Sequence, residues 1–268
     1  NGAGKTTTLK MLSGIIYPST GKISVLGFDP SKRQNEFKKK IAIVLGQKSQ
    51  LMGVLPAIES FKLFQSMYGI NEKDFNQRVN YLSKLLEVEE VLHVQNRKLS
   101  LGQRMKTELI AALLHQPEVL FLDEPTIGLD IVSQQSIRGF LKEFNKQHQT
   151  TIILTSHYMD DVEDLCERII IIDGGKLGYD GKVVDILEKY RKSKTVKLIF
   201  EQNIDPKDLN SFGEIISAEP YTIELKINAG NFAENLSKIL TQFKVKDVNI
   251  EDISLEDVVR DIFEGKGI

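Results

Sequence analysis

The residues Asn1-Gly2-Ala3-Gly4-Lys5-Thr6 match the last six positions of the pattern G-x-x-x-x-G-K-[ST], and Thr7 follows directly. Glycines at this spacing let the backbone curl until several N–H groups point at one anion. A helix that starts at the loop presents its own N-terminus to the same anion. In that arrangement Lys5 reaches the outer phosphates of a nucleotide, and the Thr6 hydroxyl can coordinate magnesium. The alternative is a Gly-rich turn ahead of an ordinary helix. A second feature favours phosphate chemistry. Asp123 and Glu124 close the apolar run Val119 to Leu122, so two carboxylates stand at the end of a buried strand. Asp123 is placed to hold magnesium, directly or through water. Glu124 is placed to polarise an attacking water, as a general base or by orienting it, a contribution of roughly 10²–10⁴ in rate. An acidic turn capping a strand is the plain alternative. The two features together, each at its proper place in an alternating chain, indicate a P-loop NTPase.

The elements that must position these groups alternate in type over the first 190 residues. Leu9, Leu12 and Ile16 recur at helical spacing, and Gly14 marks a helix end. Strand patterns cover Lys22 to Leu26, Ile41 to Leu45, Val119 to Leu122 and Thr151 to Leu154. Helical patterns cover Ile58 to Tyr68, Phe75 to Leu86 and Leu101 to His115, with Pro117 as a stop. Another helix carries Ile137, Phe140, Leu141 and Phe144. This alternation predicts an α/β fold with a mostly parallel sheet covered by helices and a ligand site at the strand carboxyl ends. The pattern changes near Lys189 to Lys194. Beyond it the order is strand, short helix, strand, strand, helix, strand, which is the ferredoxin-like order. Ser254 and Asp257 then have capping-box spacing for a last helix. The expected organisation is an ATPase domain over 1–190 and a small α+β domain over 195–268.

The stretch Leu99-Ser100-Leu101-Gly102-Gln103-Arg104 resembles the L-S-G-G-Q signature of the ATP-binding cassette (ABC) family, with Leu101 in place of the first glycine. Ser100 and Gln103 also have the S-x-x-Q spacing of a capping box, and both readings can hold. The resemblance covers roughly residues 1–190, and six motifs stand in family order. It implies a helical signature subdomain at about 48–116. It implies that Ser100, Gly102 and Gln103 contact the γ-phosphate held by a second ATPase subunit in a head-to-tail dimer. Gln47 resembles the Q-loop glutamine, a contact to magnesium and the nucleophilic water. Gln50 competes for that role, but the spacing from Gln47 to Leu55 fits the family better. Gly128-Leu129-Asp130 resembles the D-loop of the dimer interface, and His157 in Thr155-Ser156-His157 resembles the switch histidine. The tail Ile253 to Val258 looks like that of export-type ATPases serving separate membrane permease subunits. The expected cofactors are ATP and magnesium, and the expected location is peripheral, at the cytoplasmic face of the cell membrane.

Composition agrees with this reading and narrows the alternatives. Of 268 residues 41% are hydrophobic and 27% charged, with a net charge of −2, so no global charge favours nucleic acid. The run Lys38-Lys39-Lys40 is a solvated helix end. No stretch approaches the roughly 18 apolar residues of a membrane span, and the first residues do not have the order of a signal peptide. Cys166, the single cysteine, excludes an internal disulfide and sits on a helical pattern with Met159, Val162 and Leu165. His93, His115 and His148 read as structural. Chromosome-type ABC ATPases carry a long coiled coil between the two phosphate motifs, whereas here Asp123 follows Lys5 by 118 positions, without sustained heptads. Translation-type members carry two cassettes and a basic linker, and a regulatory module without turnover has no need of Glu124 and His157. The glycine that opens the phosphate-loop pattern would lie two positions before Asn1. The resemblance also implies a leading strand and an adenine-stacking aromatic upstream. The expectation is therefore an N-terminally truncated chain that binds ATP poorly as it stands.

Overall fold

The computed structural model describes every residue except 1, 47, 191–192, 253–254, 257 and 260–268. Asn1, Gln47 and the Ser254–Asp257 capping pair therefore lie outside the described residues. The chain packs as two compact units, Asn1–Leu165 and Cys166–Ile268.

In the first unit α1 (Lys5–Leu12) leads to α2 (Asn35–Lys40) and β1 (Ile41–Leu45). Next come α3 (Ala57–Tyr68), α4 (Glu72–Leu85), α5 (Leu101–Leu113) and β2 (Val119–Asp123). The unit ends with α6 (Ile131–His148), β3 (Thr151–Thr155) and α7 (Met159–Leu165). The three strands form a parallel sheet in the order β1-β2-β3, with Leu45, Asp123 and Thr155 in one register row at its carboxyl edge. Both faces of β2 are buried, as a parallel strand between helical layers requires. Leu120 and Leu122 belong to a large core with Phe61 of α3, Leu109, Ile110 and Leu113 of α5, and Ile137 and Leu141 of α6. Val119 and Phe121 point the other way, into a second cluster with Leu9, Phe37 and Ile41. Each such large side chain removed from water contributes about 1.5–3 kcal/mol, so the central strand is firmly held in depth and register. The helices start where polar side chains meet their first amides: Asn71 caps α4, Ser100 caps α5 and Asp130 caps α6.

One expected strand is absent. Residues 22–26 have apolar alternation but fold into a tight turn, with Leu26 at φ 52° and Gly27 at φ 79°. Val25 and Phe28 exchange backbone hydrogen bonds at 2.9 Å across that turn, so the segment closes on itself instead of extending a sheet. The helix of α1 also stops before Ile16. Gly14 sits at φ 77°, and a Cβ there would lie 2.4 Å from the Pro30 carbonyl oxygen.

The second unit holds a hairpin of β4 (Arg168–Asp173) and β5 (Lys176–Lys182), followed by α8 (Val183–Tyr190). Then come β6 (Ser193–Phe200), β7 (Glu214–Glu219), β8 (Thr222–Asn228), α9 (Phe232–Gln242) and β9 (Val245–Asp252). The last four strands form an antiparallel sheet in the order β7-β8-β6-β9. Alternate residues Val196, Leu198, Phe200 and Ile223, Leu225, Ile227 share a core with Leu209 and Ile239. Taken in chain order, the four strands stand 2-3-1-4, the arrangement of a split β-α-β unit. A 3-10 turn, Pro206–Leu209, replaces its first helix. The division between units falls at residue 165, earlier than the 190 read from the sequence. Its cause is strand pairing: β4 pairs with β5, and among the described residues it has no partner in the three-stranded sheet.

Candidate functional site

The carboxyl edge of the parallel sheet gathers the residues singled out for phosphate chemistry. Gly2 and Gly4 both take positive φ, 83° and 107°, the left-handed turn that a side chain would resist. Gly4 immediately precedes α1, whose amides have no side-chain cap and whose first turn carries no acidic residue. The N-terminal N–H groups are thus open to an external acceptor. Lys5 opens this helix and Thr7 is exposed on its first turn. Thr6 reaches back to the sheet, its hydroxyl donating to Asp123 Oδ1 at 2.9 Å. The Thr155 hydroxyl donates to the same oxygen at 2.7 Å. One carboxylate at the end of β2 therefore joins the glycine loop to the next strand. Thr6 and Asp123 are hard oxygen donors of the kind magnesium prefers, with water and phosphate oxygens completing its shell.

Glu124 is one residue further on and holds an unusual backbone, φ 53°. A left-handed conformation costs a non-glycine residue about 1–2 kcal/mol. The Glu124 N–H donates to the Thr155 carbonyl at 3.0 Å, and the Gly46 N–H donates to the Asp123 carbonyl at 2.9 Å. These bonds hold the turn from both neighbouring strands. Its side chain meets His157 Nε2 at 2.7 Å, with the ring N–H donating to the carboxylate. The pair is accessible, the carboxylate side chain being 18% exposed and the imidazole 37%. Such a carboxylate can accept a proton from water, and the imidazole can orient it or donate to a nearby oxyanion.

A separate assembly forms at the starts of α5 and α6. The Ser100 hydroxyl accepts from Gln103 N–H at 3.2 Å, and Gln103 Oε1 accepts from Ser100 N–H at 3.1 Å. The capping box is real, and Ser100 remains exposed, its hydroxyl oxygen serving as the acceptor. Asp130 accepts from the Ser133 amide at 2.9 Å and the Ser133 hydroxyl at 2.7 Å. Those bonds, the hydroxyl first, hold its carboxyl below the usual carboxylate range. Gly102 lies against this cap: a Cβ there would be 2.3 Å from Ser133 Oγ. Leu101 turns toward the D-loop-like segment, its Cδ2 placed 3.4 Å from where a Gly128 Cβ would sit. Among the described residues, no hydrogen bond links Ser100, Gln103 or Asp130 to the site around Asp123. The structure thus gathers Thr6, Asp123, Glu124 and His157, and separately Ser100, Gly102, Gln103 and Asp130. Gln50 turns its side chain to the Ile43 carbonyl and its amide to Glu108.

Four contributors went unread in the sequence. Thr155 is the second donor to Asp123. Gly46 permits close packing, since a Cβ there would lie 2.6 Å from the Glu124 carbonyl oxygen and 2.8 Å from that of Asp123. Glu108, 4% exposed on α5, accepts from the Ser49 hydroxyl and from the amides of Gln50 at 2.9 Å and Leu51 at 3.3 Å. Asp161 is 1% exposed on α7 and accepts from Thr126 and Ser156. Gly46 carried a signal, a glycine ending a strand beside a candidate site. The two acids carried no such signal.

The family model described as "ABC transporter" matches residues 1–127, and the model of an EvrA-like ABC transporter C-terminal domain matches residues 192–251. The ABC transporter ATP-binding protein NatA of Bacillus subtilis is 36% identical over 200 residues, covering 75% of this chain and 80% of that one. The linearmycin resistance ATP-binding protein LnrL of the same organism is 30% identical over 262 residues, covering 96% and 83%. Among solved structures, an ATP-binding subunit of an ABC transporter superposes with a TM-score of 0.63 at 26% identity, over 71% of this chain and 78% of that one. A dimeric cassette, MJ0796, in a post-hydrolysis state with ADP and Pi shows the same fold, with a TM-score of 0.60 at 24% identity over 68% and 81%. With the phosphate loop, the strand-end carboxylates and the capped signature helix in place, this chain belongs to the ABC transporter family, as an ATP-binding and ATP-hydrolysing subunit.

Proposed function

We propose that the chain powers export through separate membrane subunits, and that its motifs work as follows. Gly2, Ala3, Gly4, Lys5, Thr6 and Thr7, with Asn1 ahead of them, cradle the ATP phosphates on the N-terminus of α1. Thr6 and Asp123, with Gln47, hold magnesium, which supplies charge neutralisation on the phosphates. Glu124 orients the attacking water and takes its proton. His157 fixes the Glu124 carboxylate and faces the γ-phosphate. The observation that carries this reading is the convergence of the Thr6 hydroxyl on Asp123, one residue from the Glu124–His157 contact.

Ser100, Gly102, Gln103 and Asp130 then serve the ATP held by a second copy in a head-to-tail dimer. Two features support this: they lie apart from the chain's own phosphate site, and exposed Ile131 and Val132 sit beside Asp130. Membrane subunits dock against the segment after β1 and against α3, where Met52, Val54, Leu55, Leu63 and Met67 are exposed. Among the described residues no helix is long and apolar enough to cross a membrane. The subunit works at the cytoplasmic face as a peripheral protein. ATP favours the closed dimer, hydrolysis releases it, and the difference in affinity drives the membrane subunits.

Glu124→Gln tests the assignment. The expected outcome is retained ATP binding, a stable ATP-bound dimer by size exclusion, and turnover reduced by about 10²-fold or more. Turnover at the wild-type rate overturns the role of Glu124.

A further inference from the structure

Asp161 lies on α7, a helix that carries none of the residues assigned above. Its side chain is 1% exposed, and one oxygen, Oδ2, accepts two hydroxyl hydrogen bonds: from Thr126 at 2.5 Å and from Ser156 at 2.6 Å. Thr126 follows Glu124 by two residues, and Ser156 directly precedes His157. The Ser156 oxygen also accepts from the Tyr158 N–H at 2.9 Å, closing a turn with His157 at its middle. The other oxygen of Asp161 faces Arg138 of α6 at 3.4 Å. Arg138 is itself buried and is shared with Asp160 at 3.8 Å and Asp164 at 3.4 Å. A single carboxylate oxygen therefore ties the loop after β2 to the loop after β3, each within two residues of one partner of the Glu124–His157 contact.

A buried ion pair is a poor source of stability, because desolvation offsets the Coulombic gain. A defined geometry is a better account of an acid placed here. We propose that Asp161 is a positioning residue that sets the Glu124–His157 contact by fixing Thr126 and Ser156. This rests on the catalytic roles proposed for Glu124 and His157. Asp161 acts through backbone placement and takes no part in proton transfer. Since a misplacement of about 1 Å can cost on the order of 10²-fold in rate, the effect belongs in kcat and not in ATP affinity.

Thr126→Val and Ser156→Ala each remove one hydroxyl and leave the Asp161–Arg138 pair intact. In ATPase assays on the full-length protein, each is expected to lower kcat at least about tenfold while KM for ATP stays within about threefold. Thr126→Ser, which keeps the hydroxyl, is expected to restore most of the rate. In a His157→Ala background, Ser156→Ala is expected to add less than about a twofold loss, because the group it positions is gone. Wild-type kcat in both hydroxyl variants overturns the proposal. So does an equal loss from Ser156→Ala with and without His157. If Glu124→Gln and His157→Ala themselves turn over normally, the catalytic reading fails first, and the outcomes are distinguishable.

Discussion

Gly46→Ala is a one-carbon test of how tightly the strand-end carboxylates are held. The new Cβ would stand 2.6 Å from the Glu124 carbonyl oxygen and 2.8 Å from that of Asp123. Restoring an ordinary contact of 3.4 Å requires the two chains to part by about 0.8 Å. The atoms in the way are backbone, so no rotamer change relieves the clash. The Gly46 N–H bond to the Asp123 carbonyl, 2.9 Å, is stretched by the same movement. Overpacking of this kind costs about 1–3 kcal/mol, offset by roughly 0.4–1 kcal/mol from the stiffer unfolded chain. The net loss is about 1–2 kcal/mol, or a melting temperature lower by a few degrees for a protein of this size. The catalytic loss is larger in proportion, because the Asp123–Glu124 turn moves relative to α1. A shift near 1 Å lowers kcat by roughly 10–100-fold. The glycine loop is coupled to this movement through the Thr6–Asp123 bond, so ATP affinity falls too, but by a smaller factor than kcat. Phosphate release, nucleotide titration and thermal melts measure the three quantities on the full-length protein. A kcat within twofold of wild type refutes the argument, whatever the melting temperature does.

Other expectations follow from single contacts. On the proposed reading Lys5→Ala removes a cationic contact to the outer phosphates and should weaken ATP binding by at least about tenfold, read by nucleotide titration; unchanged affinity would remove Lys5 from the site. Glu108→Ala removes the acceptor of the Gln50 amide, while the Ser49 hydroxyl keeps the Leu51 carbonyl and the Leu51 amide keeps Ser49 Oγ. At about 1–3 kcal/mol for one amide left without an acceptor, partly relieved by water, the cost should reach about 1–2 kcal/mol in denaturant unfolding, and a loss under about 0.5 kcal/mol would show that the loop has other anchors. His115 is held below its ordinary value chiefly by burial, with Arg78 adding to this and the bond to the Ile41 carbonyl opposing it. Its contribution is therefore present above the unfolded histidine pKa, near 6.5, and is lost as pH falls below it. His115→Phe, which preserves the ring stacked on Tyr68 at 3.9 Å, should flatten the stability profile between about pH 5 and 7, and an unchanged slope would exclude His115 as its source.

The contrast between what the sequence revealed and what it concealed has a physical pattern. Groups that meet a ligand are concentrated in short motifs, because a phosphate loop or a strand-end acid pair needs several adjacent residues. Lys5, Thr6, Asp123, Glu124 and His157, proposed above as such groups, can be singled out for that reason, and so can Ser100 and Gln103, whose spacing is also that of the capping box the structure contains. Elements with strong periodicity and clear caps, such as α4, α5 and β2, were legible too. Residues 22–26 were misread because alternation describes a strand only if a partner strand exists, and the Leu26–Gly27 turn gives Val25 its partner within the same segment. The β4–β5 pairing was hidden for a related reason. Strand length is local, but the choice of partner is not, so the unit boundary moved to residue 165.

Asp161 and Glu108 belong to a third kind, and they explain why a motif list stops short of a mechanism. Glu108 is the one acid on α5 and Asp161 is one of four on α7, a pattern that a solvated face would also produce. Each is nonetheless almost fully buried, Asp161 1% and Glu108 4% exposed; Asp161 accepts from the distant Thr126 and the nearby Ser156, and Glu108 from the distant Ser49 and Gln50. Glu108 stands eight residues after Ser100 on α5, about 12 Å along the axis at 1.5 Å per residue. One rigid helix thus has the signature serine at its start and the segment after β1 bound to its middle. On the proposed reading, a phosphate drawn to Ser100 in the dimer pulls on a helix that already grips Ser49, Gln50 and Leu51. The exposed Met52, Val54 and Leu55 follow directly in the chain. The path from nucleotide to membrane subunit then needs no change of fold, only the displacement of one helix and the loop its buried glutamate holds.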